Sequence, residues 1–289
     1  FDEKCFIGRT RRDVPDIDMI RVDDTYYMVS TTMFYTPGAP IMKSKDLASW
    51  EICNYVYNIL GDSPKHKLQN NEHDYSHGQW AASLRYKDGF FYVFFGSYGT
   101  GKSYIFKTDK IEGGSWTKSE INGMYHDASM FFDEDGKNYL IFGSGEIKIK
   151  ELNSELTNFA GGAQERTLFK TGLSGLAGEG SHVLKINGWY YVFIIAWPSG
   201  SGRIELAYRS KNIFGQYEGK TILNSGVGSY GSGAAQGAII DTPDGKWYGY
   251  VFQDHGSVGR VPVLTPMEWV DNWPMMGVNG KVPITLELP

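Results

Sequence analysis

One pattern recurs five times along the chain: an apolar strand, a tight turn and an aromatic strand. The stretches are IDMIRVDDTYYMVS, AASLRYKDGFFYVFFGS, ASMFFDEDGKNYLIFGS, GSHVLKINGWYYVFIIA and GAIIDTPDGKWYGYVFQ. Asp-Gly or Asn-Gly between apolar runs is the strongest short-range hairpin signal, because the turn requires φ > 0. The turns, taken at Thr25, Gly89, Gly136, Gly188 and Gly245, lie 64, 47, 52 and 57 residues apart. A further apolar run follows each hairpin, as in IMKSKDLASW and YIFKTDKIEGGSW. Each repeat therefore has room for four strands, and four-stranded repeats of about 50 residues are propeller blades. No window carries a sustained helical period. The expectation is an all-β, five-bladed β-propeller, one catalytic domain over 1–289 with no C-terminal β-sandwich. A two-sheet β-sandwich is the alternative.

Nine residues before each turn position stand Asp16, Trp80, Asp127, Glu179 and Gln236. The innermost strand of each blade lines the propeller axis, so equivalent positions form a ring around one end of it. Asp is a poor strand residue, yet Asp16 opens an apolar hairpin. A ring of three acids, a Trp and an amide explains it: the position faces a polar pocket. Three carboxylates around an axis can hydrolyse a glycoside, one activating water or attacking the sugar and one protonating the leaving oxygen. A third raises the acid's pKa by like-charge repulsion. Trp80 offers a face on which a sugar ring stacks. Solvated rim acids and a Ca²⁺ cage are the competing readings of the same three residues.

The chain resembles glycoside hydrolase family 43, the β-xylosidases and α-L-arabinofuranosidases built on a five-bladed propeller. The resemblance rests on PDIDMIRVDDTYYMVSTTM, PGAPIMKSKDLASW, GQWAASLRYKDGFFYVFFGS, HDASMFFDEDGKNYLIFG, EGSHVLKINGWYYVF and DTPDGKWYGYVFQDHGSVGRVPVLTPMEWVDNWPMMG. It departs from the family at Pro15-Asp16-Ile17, where Pro-Asp-Pro is usual. The resemblance implies that Asp16 is the general base, that Asp127 tunes and orients the acid, and that Glu179 is the general acid. It makes Trp80, Met33 and Phe34 walls of the terminal-sugar pocket. Arg260 becomes the blade-five arginine that meets substrate or base, with a rim salt bridge as its plainer role, and Gln236 can bond a sugar hydroxyl. A structural Ca²⁺ on the axis, held by His255 and waters, is also implied, as is inversion at the anomeric carbon. His126 and His182 flank two of the acids and are placed to orient them.

The expected function is exo-hydrolysis that releases xylose or arabinose from xylan- or arabinoxylan-derived saccharides. An enzyme cutting arabinan internally and a non-catalytic carbohydrate-binding propeller are the alternatives. The long polar loop DSPKHKLQNNEHDYSHGQ and MFYTPGAP look able to block one end of a cleft, which favours exo action. Three histidines in the first of these lack the spacing of a zinc site. Scattered Lys and Arg with a net charge of −5 give no nucleic-acid footprint, and no apolar run approaches the ~20 residues that span a bilayer. Cys5 and Cys53 are expected to be free thiols. GSYGTGKS matches a phosphate-binding pattern, but YIFKTDKIEGGSW after it reads as a strand, where phosphate binding needs a helix. DEDGKNYLIFGSGE is expected to be the blade-three turn, not a calcium loop. The segment from Trp269 to Pro289 is expected to include a strand that helps close the ring.

Overall fold

The computed structural model describes residues 13–33 and 36–286. They form five four-stranded antiparallel sheets, each built from consecutive strands. Blade one holds β1 (Asp18–Val22), β2 (Thr25–Val29), β3 (Gly38–Ser44) and β4 (Glu51–Tyr57). Blade two holds β5 (Gln79–Lys87), β6 (Phe90–Ser97), β7 (Lys102–Thr108) and β8 (Thr117–Asn122). Blade three is β9 (Ser129–Phe132), β10 (Asn138–Phe142), β11 (Glu146–Leu152) and β12 (Arg166–Lys170). Blade four is β13 (Leu176–Ile186), β14 (Trp189–Trp197), β15 (Ile204–Ser210) and β16 (Glu218–Leu223). Blade five is β17 (Ala234–Asp241), β18 (Trp247–Asp254), β19 (Arg260–Val270) and β20 (Trp273–Met276). The inner strands touch in the closed order β1, β5, β9, β13, β17 and back to β1. This is the predicted five-bladed propeller.

The core lies between blades. Val29, Ile41 and Tyr57 of blade one pack with Leu84, Val93 and Phe95 of blade two. Phe94 and Ile105 pack with Met130 and Leu140, and Ile141 and Ile149 pack with Val192 and Ile194. Alternation along each strand serves two neighbours at once, which is why the inner and second strands are apolar on both faces.

Three turns and one tail differ from the sequence reading. Val22 pairs with Thr25, so the first turn is Asp23-Asp24 and Thr25 already belongs to β2. In blades three and five the pairs flanking the turn are Phe132–Asn138 and Asp241–Trp247, which leaves longer turns. The nine-residue count is therefore a constant spacing but not one pairing register. The Trp273–Met276 strand does not close the ring; it is the outer edge of blade five. Blade five meets blade one through Val14 N–H to Arg260 O at 2.9 Å and Arg260 N–H to Asp13 at 2.8 Å. Arg21 Nε donates to Asp241 at 3.2 Å across the same joint.

The loop motif GSYGTGKS links β6 to β7, so a strand follows it. DEDG forms the β9–β10 turn, closed by Asp133 N–H to Lys137 O at 2.9 Å. Cys53 is a free thiol whose pKa burial raises to about 11, and Cys5 lies outside the described residues.

Gly237 sits where β17 bulges against β18, and a Cβ there would stand 1.7 Å from the Tyr250 carbonyl oxygen. Gly237→Ala should lower the melting temperature by about 5 °C or more. Thermal unfolding that matches wild type would show that the bulge yields at no cost.

Candidate active site

Backbone strain aims the ring residues. Asp16, Asp127 and Gln236 have φ of 51°, 46° and 61°. Asp tolerates this left-handed region better than most residues because its short side chain bonds locally. Asp16 and Asp127 stand just before β1 and β9. Trp80, Glu179 and Gln236 lie at register breaks between Gln79/Ala82, around Glu179 and between Ala235/Ala238. Bulges re-aim side chains out of the strict in–out alternation.

The convergence is direct. Asp16 and Asp127 are buried, and Glu179 is partly so. Ser181 N–H donates to Asp127 O at 3.2 Å, joining blade four to blade three at the site. His126 Nε2 lies 3.0 Å from Glu179 Oε2 and 3.7 Å from Asp127 Oδ2. Tyr98 Oη is 3.1 Å from His126 Nδ1. Trp80 meets the Tyr98 ring edge-on at 4.7 Å and the His126 ring at 5.8 Å. Its Nε1 donates to Ser76 O at 3.2 Å, so the long polar loop holds the indole in place.

Arg260 bonds Asp16 directly, and its Nε is 3.5 Å from Asp254. Arg203 pairs with the other oxygen of Asp254 and stacks on Trp197 at 4.2 Å. Met33 is pinned beside Trp80: its N–H donates to Gln79 O at 2.8 Å and its carbonyl accepts from Gly78 at 2.6 Å. Gln236 lies against Gly180, next to Glu179, and Glu205 accepts its N–H at 2.7 Å. Glu205 is wholly buried, which pushes its carboxyl pKa well above the usual range, against the backbone N–H bonds from Gln236 and Gly237. Phe34 lies outside the described residues.

The three acids have different electrostatics. Burial raises the pKa of Asp16, and Arg260 works against that rise. Burial raises Asp127 to about 7, opposed by His126 and reinforced by Glu179 and Asp16. Glu179 falls below its ordinary value: hydrogen bonding to His126 and the imidazole's charge outweigh burial, and Ser144 adds a further bond. His126 rises correspondingly, through Glu179 and Asp127. Burial and neighbouring groups thus push the pKa values of Asp127 and Glu179 in opposite directions, with His126 between them.

His255 stands apart from this cluster. Its ring stacks on Tyr230 at 4.2 Å, and its buried Nε2 has no hydrogen-bond partner. Ca²⁺ requires six to eight oxygen ligands. The neighbouring carboxylate, Asp254, is already engaged by Arg203 and Arg260. Among the described residues, the one trio of His, Asp and Glu with ligand atoms within 4.8 Å of one another is His126, Asp127 and Glu179. The loop histidines do not converge either. His66 faces Asp74 at 3.3 Å, His73 stacks on Tyr75, and His77 contacts Tyr75 O.

The sequence model of glycosyl hydrolases family 43 matches residues 10–274. The chain belongs to that family. It is 31% identical to a beta-xylosidase of Formosa agariphila, over 92% of this chain and 50% of the relative. It is 29% identical to a non-reducing end alpha-L-arabinofuranosidase of Bacteroides ovatus, over 95% of this chain and 54% of the relative. A solved structure described as a bifunctional GH43-CE protein of Bacteroides eggerthii superposes with a TM-score of 0.92 at 42% identity. That match covers 100% of this chain and 37% of the other. The chain spans about half the length of these curated relatives.

Sequence reasoning missed Ser144, Tyr98, Arg203, Asp254 and Glu205, which support the ring residues from other strands and loops. Tyr98 and Asp254 each stand nine residues after their turn glycine, Gly89 and Gly245, and Arg203 and Arg260 each fifteen after theirs, Gly188 and Gly245, so a count forward from the turns would have marked three of the five.

The raised pKa of Asp127 has a stability consequence. The folded chain holds a proton up to about pH 7 that the unfolded chain releases near 3.8. Stability attributable to Asp127 therefore falls as pH rises across that window. Asp127→Asn, which keeps a residue tolerant of φ > 0, should be more stable than wild type above pH 7, by about 1 kcal/mol or more. The advantage should vanish near pH 4. Denaturant unfolding across pH tests this, and a gain independent of pH would contradict it.

Proposed function

We propose that this propeller is the catalytic unit of an inverting, exo-acting glycoside hydrolase. It releases terminal xylose or arabinose from xylan- or arabinoxylan-derived saccharides. The observation that carries the reading is the set of three carboxylates at one mouth of the axis, each held in a different protonation environment. Pairs of acids pushed apart in pKa are the mark of acid–base assignments. The names of the relatives, beta-xylosidase and alpha-L-arabinofuranosidase, support the two sugars.

Asp16 is the base. Arg260 opposes its protonation and orients it. Asp16 takes a proton from a water whose oxygen bonds to the anomeric carbon, while the bond from that carbon to the leaving oxygen breaks. Glu179 gives the leaving oxygen a proton. His126, hydrogen-bonded to Glu179 and with its own pKa raised, is placed to supply that proton, and Asp127 beside them disfavours a further negative charge. Trp80 and Met33 wall the sugar. Inversion follows because water and leaving group occupy opposite faces of the ring. A binding propeller has no use for this division of protonation among three acids.

Hydrolysis of aryl β-D-xylopyranoside and aryl α-L-arabinofuranoside tests the proposal, and the ratio of rates names the preferred sugar. Glu179→Ala should lose ~10²-fold or more on natural saccharides and much less on substrates with good leaving groups, which need little acid help. Equal losses on both would remove Glu179 as the acid. Asp16→Asn should be nearly inactive on every substrate, and substantial turnover would remove it as the base.

The pH profile separates Arg260 from a rim salt bridge. The base acts only when ionised, so kcat/KM falls as pH drops through the Asp16 pKa. Arg260 lowers that pKa, so Arg260→Met should move the acid limb upward by about one unit. An unmoved limb would make the arginine a surface contact only.

A further inference from the structure

Immediately beneath the acid cluster, the axis is filled by five side chains, one from each blade. Asp18 of blade one is buried two residues after Asp16. Its Oδ2 accepts Arg85 Nη1 at 2.6 Å and the Leu84 N–H at 2.8 Å, both from blade two. Its Oδ1 accepts the Tyr250 hydroxyl of blade five at 3.0 Å. Arg85 continues to blade three, donating Nε to Met130 O at 2.8 Å and Nη2 to Ser129 Oγ at 2.6 Å.

The fifth member is His182 of blade four, buried and 3.7 Å from Asp18 Oδ1. Its Nε2 lies 3.1 Å from Ile17 O, and its Nδ1 lies 2.9 Å from Gly180 O. Ile17 follows Asp16 and Gly180 follows Glu179. One imidazole therefore touches the two backbone segments that carry the base and the acid.

We propose that His182 is a positioning residue for hydrolysis: its ring is the strut that sets the backbone of Asp16 against that of Glu179. The inference rests on the roles assigned to those two acids. An inverting site works at one spacing of base and acid, since a water must fit between base and sugar while the acid reaches the leaving oxygen. The side chains of Asp16 and Glu179 are tied to different partners, Arg260 and His126. Their separation must then be set through the backbone, and His182 is the side chain that spans it.

Both carbonyls are acceptors only, so a neutral ring donates to one of them and a doubly protonated ring to both. Burial is the largest influence on the ring and Arg85 adds to it; both oppose the doubly protonated form, Asp18 and the two carbonyls favour it, and the balance lowers the imidazole's pKa below the ordinary value. Tyr250 stands edge-on to the ring at 6.0 Å and stays neutral, because burial raises its pKa far above the ordinary range.

The test is steady-state kinetics of His182→Leu and His182→Gln on a natural xylo- or arabino-oligosaccharide and on both aryl glycosides. The leucine fills the space without donors, and the glutamine amide restores one. A misplacement of about 1 Å costs on the order of 100-fold. The expected result for a folded leucine variant is a kcat loss of that size with KM within about threefold, on good and poor leaving groups alike. Glutamine should recover about tenfold of that loss. A folded variant with kcat within about threefold of wild type, whatever its melting temperature, would overturn the inference. Should the leucine variant fail to fold, the glutamine variant alone decides by the same criterion, with a loss of about tenfold expected. Loss confined to poor leaving groups would make His182 an aid to the acid alone and also overturn it. Wild type inactive on every substrate would instead overturn the hydrolase reading, and this inference with it.

Discussion

The contact between Asp18 and Arg85 is the one on which the rest of the propeller depends. Both groups are buried, and a buried ion pair repays its desolvation only when the remaining donors and acceptors are also satisfied. Here each Asp18 oxygen accepts a hydrogen bond, and Arg85 distributes its donors to Asp18, Leu84, Ser129 and Met130. The pair thereby touches blades one, two, three and five directly, and His182 brings in blade four. A propeller axis is where five inner strands meet edge-on with little apolar surface to share. A satisfied polar network supplies the cohesion there, and each partner must be the right one, because a missing bond leaves a buried charge exposed to no solvent.

That network also explains how strain at the mouth is sustained. Three ring residues sit in left-handed backbone conformations, each costing on the order of 1 kcal/mol or more. Such conformations persist when the surroundings over-determine them. Asp18 and Ser129 stand two residues inside Asp16 and Asp127, so the segments behind the strained positions are clamped to the axis. Glu205 does the same for Gln236 from the neighbouring sheet. The acids can face a polar pocket because the residues just inside them face a satisfied one.

Much of this was legible in the sequence, for identifiable reasons. The hairpins are local, and Asp-Gly and Asn-Gly turns with aromatic second strands announce each blade. The acids were found by a constant nine-residue spacing, although Thr25 proved to be a strand residue and the turns differ in length. The count succeeded because each hairpin places a polar or aromatic residue at the same distance from its turn, and bulges at Trp80, Glu179 and Gln236 re-aim three of them. Asp18 carried a readable signal, a second carboxylate at the head of an apolar strand two residues after Asp16. Its partner Arg85 did not, because the two are 67 residues apart and no motif links them. The axial ion expected at His255 came from resemblance alone, because imidazole is an unusual Ca²⁺ ligand and no local motif announces it.

The way the ring closes has a further consequence. Every blade is complete in its own stretch of chain, so no shared strand laces the last blade to the first among the described residues. The joint is a seam of side chains and a few backbone contacts, and Arg260 lies in it, bonded at once to Asp13, Val14 and Asp16. Loosening there reaches Asp16 before it reaches any sheet. Such a propeller fails as a machine earlier than it fails as a fold, and its working state is the narrower of the two.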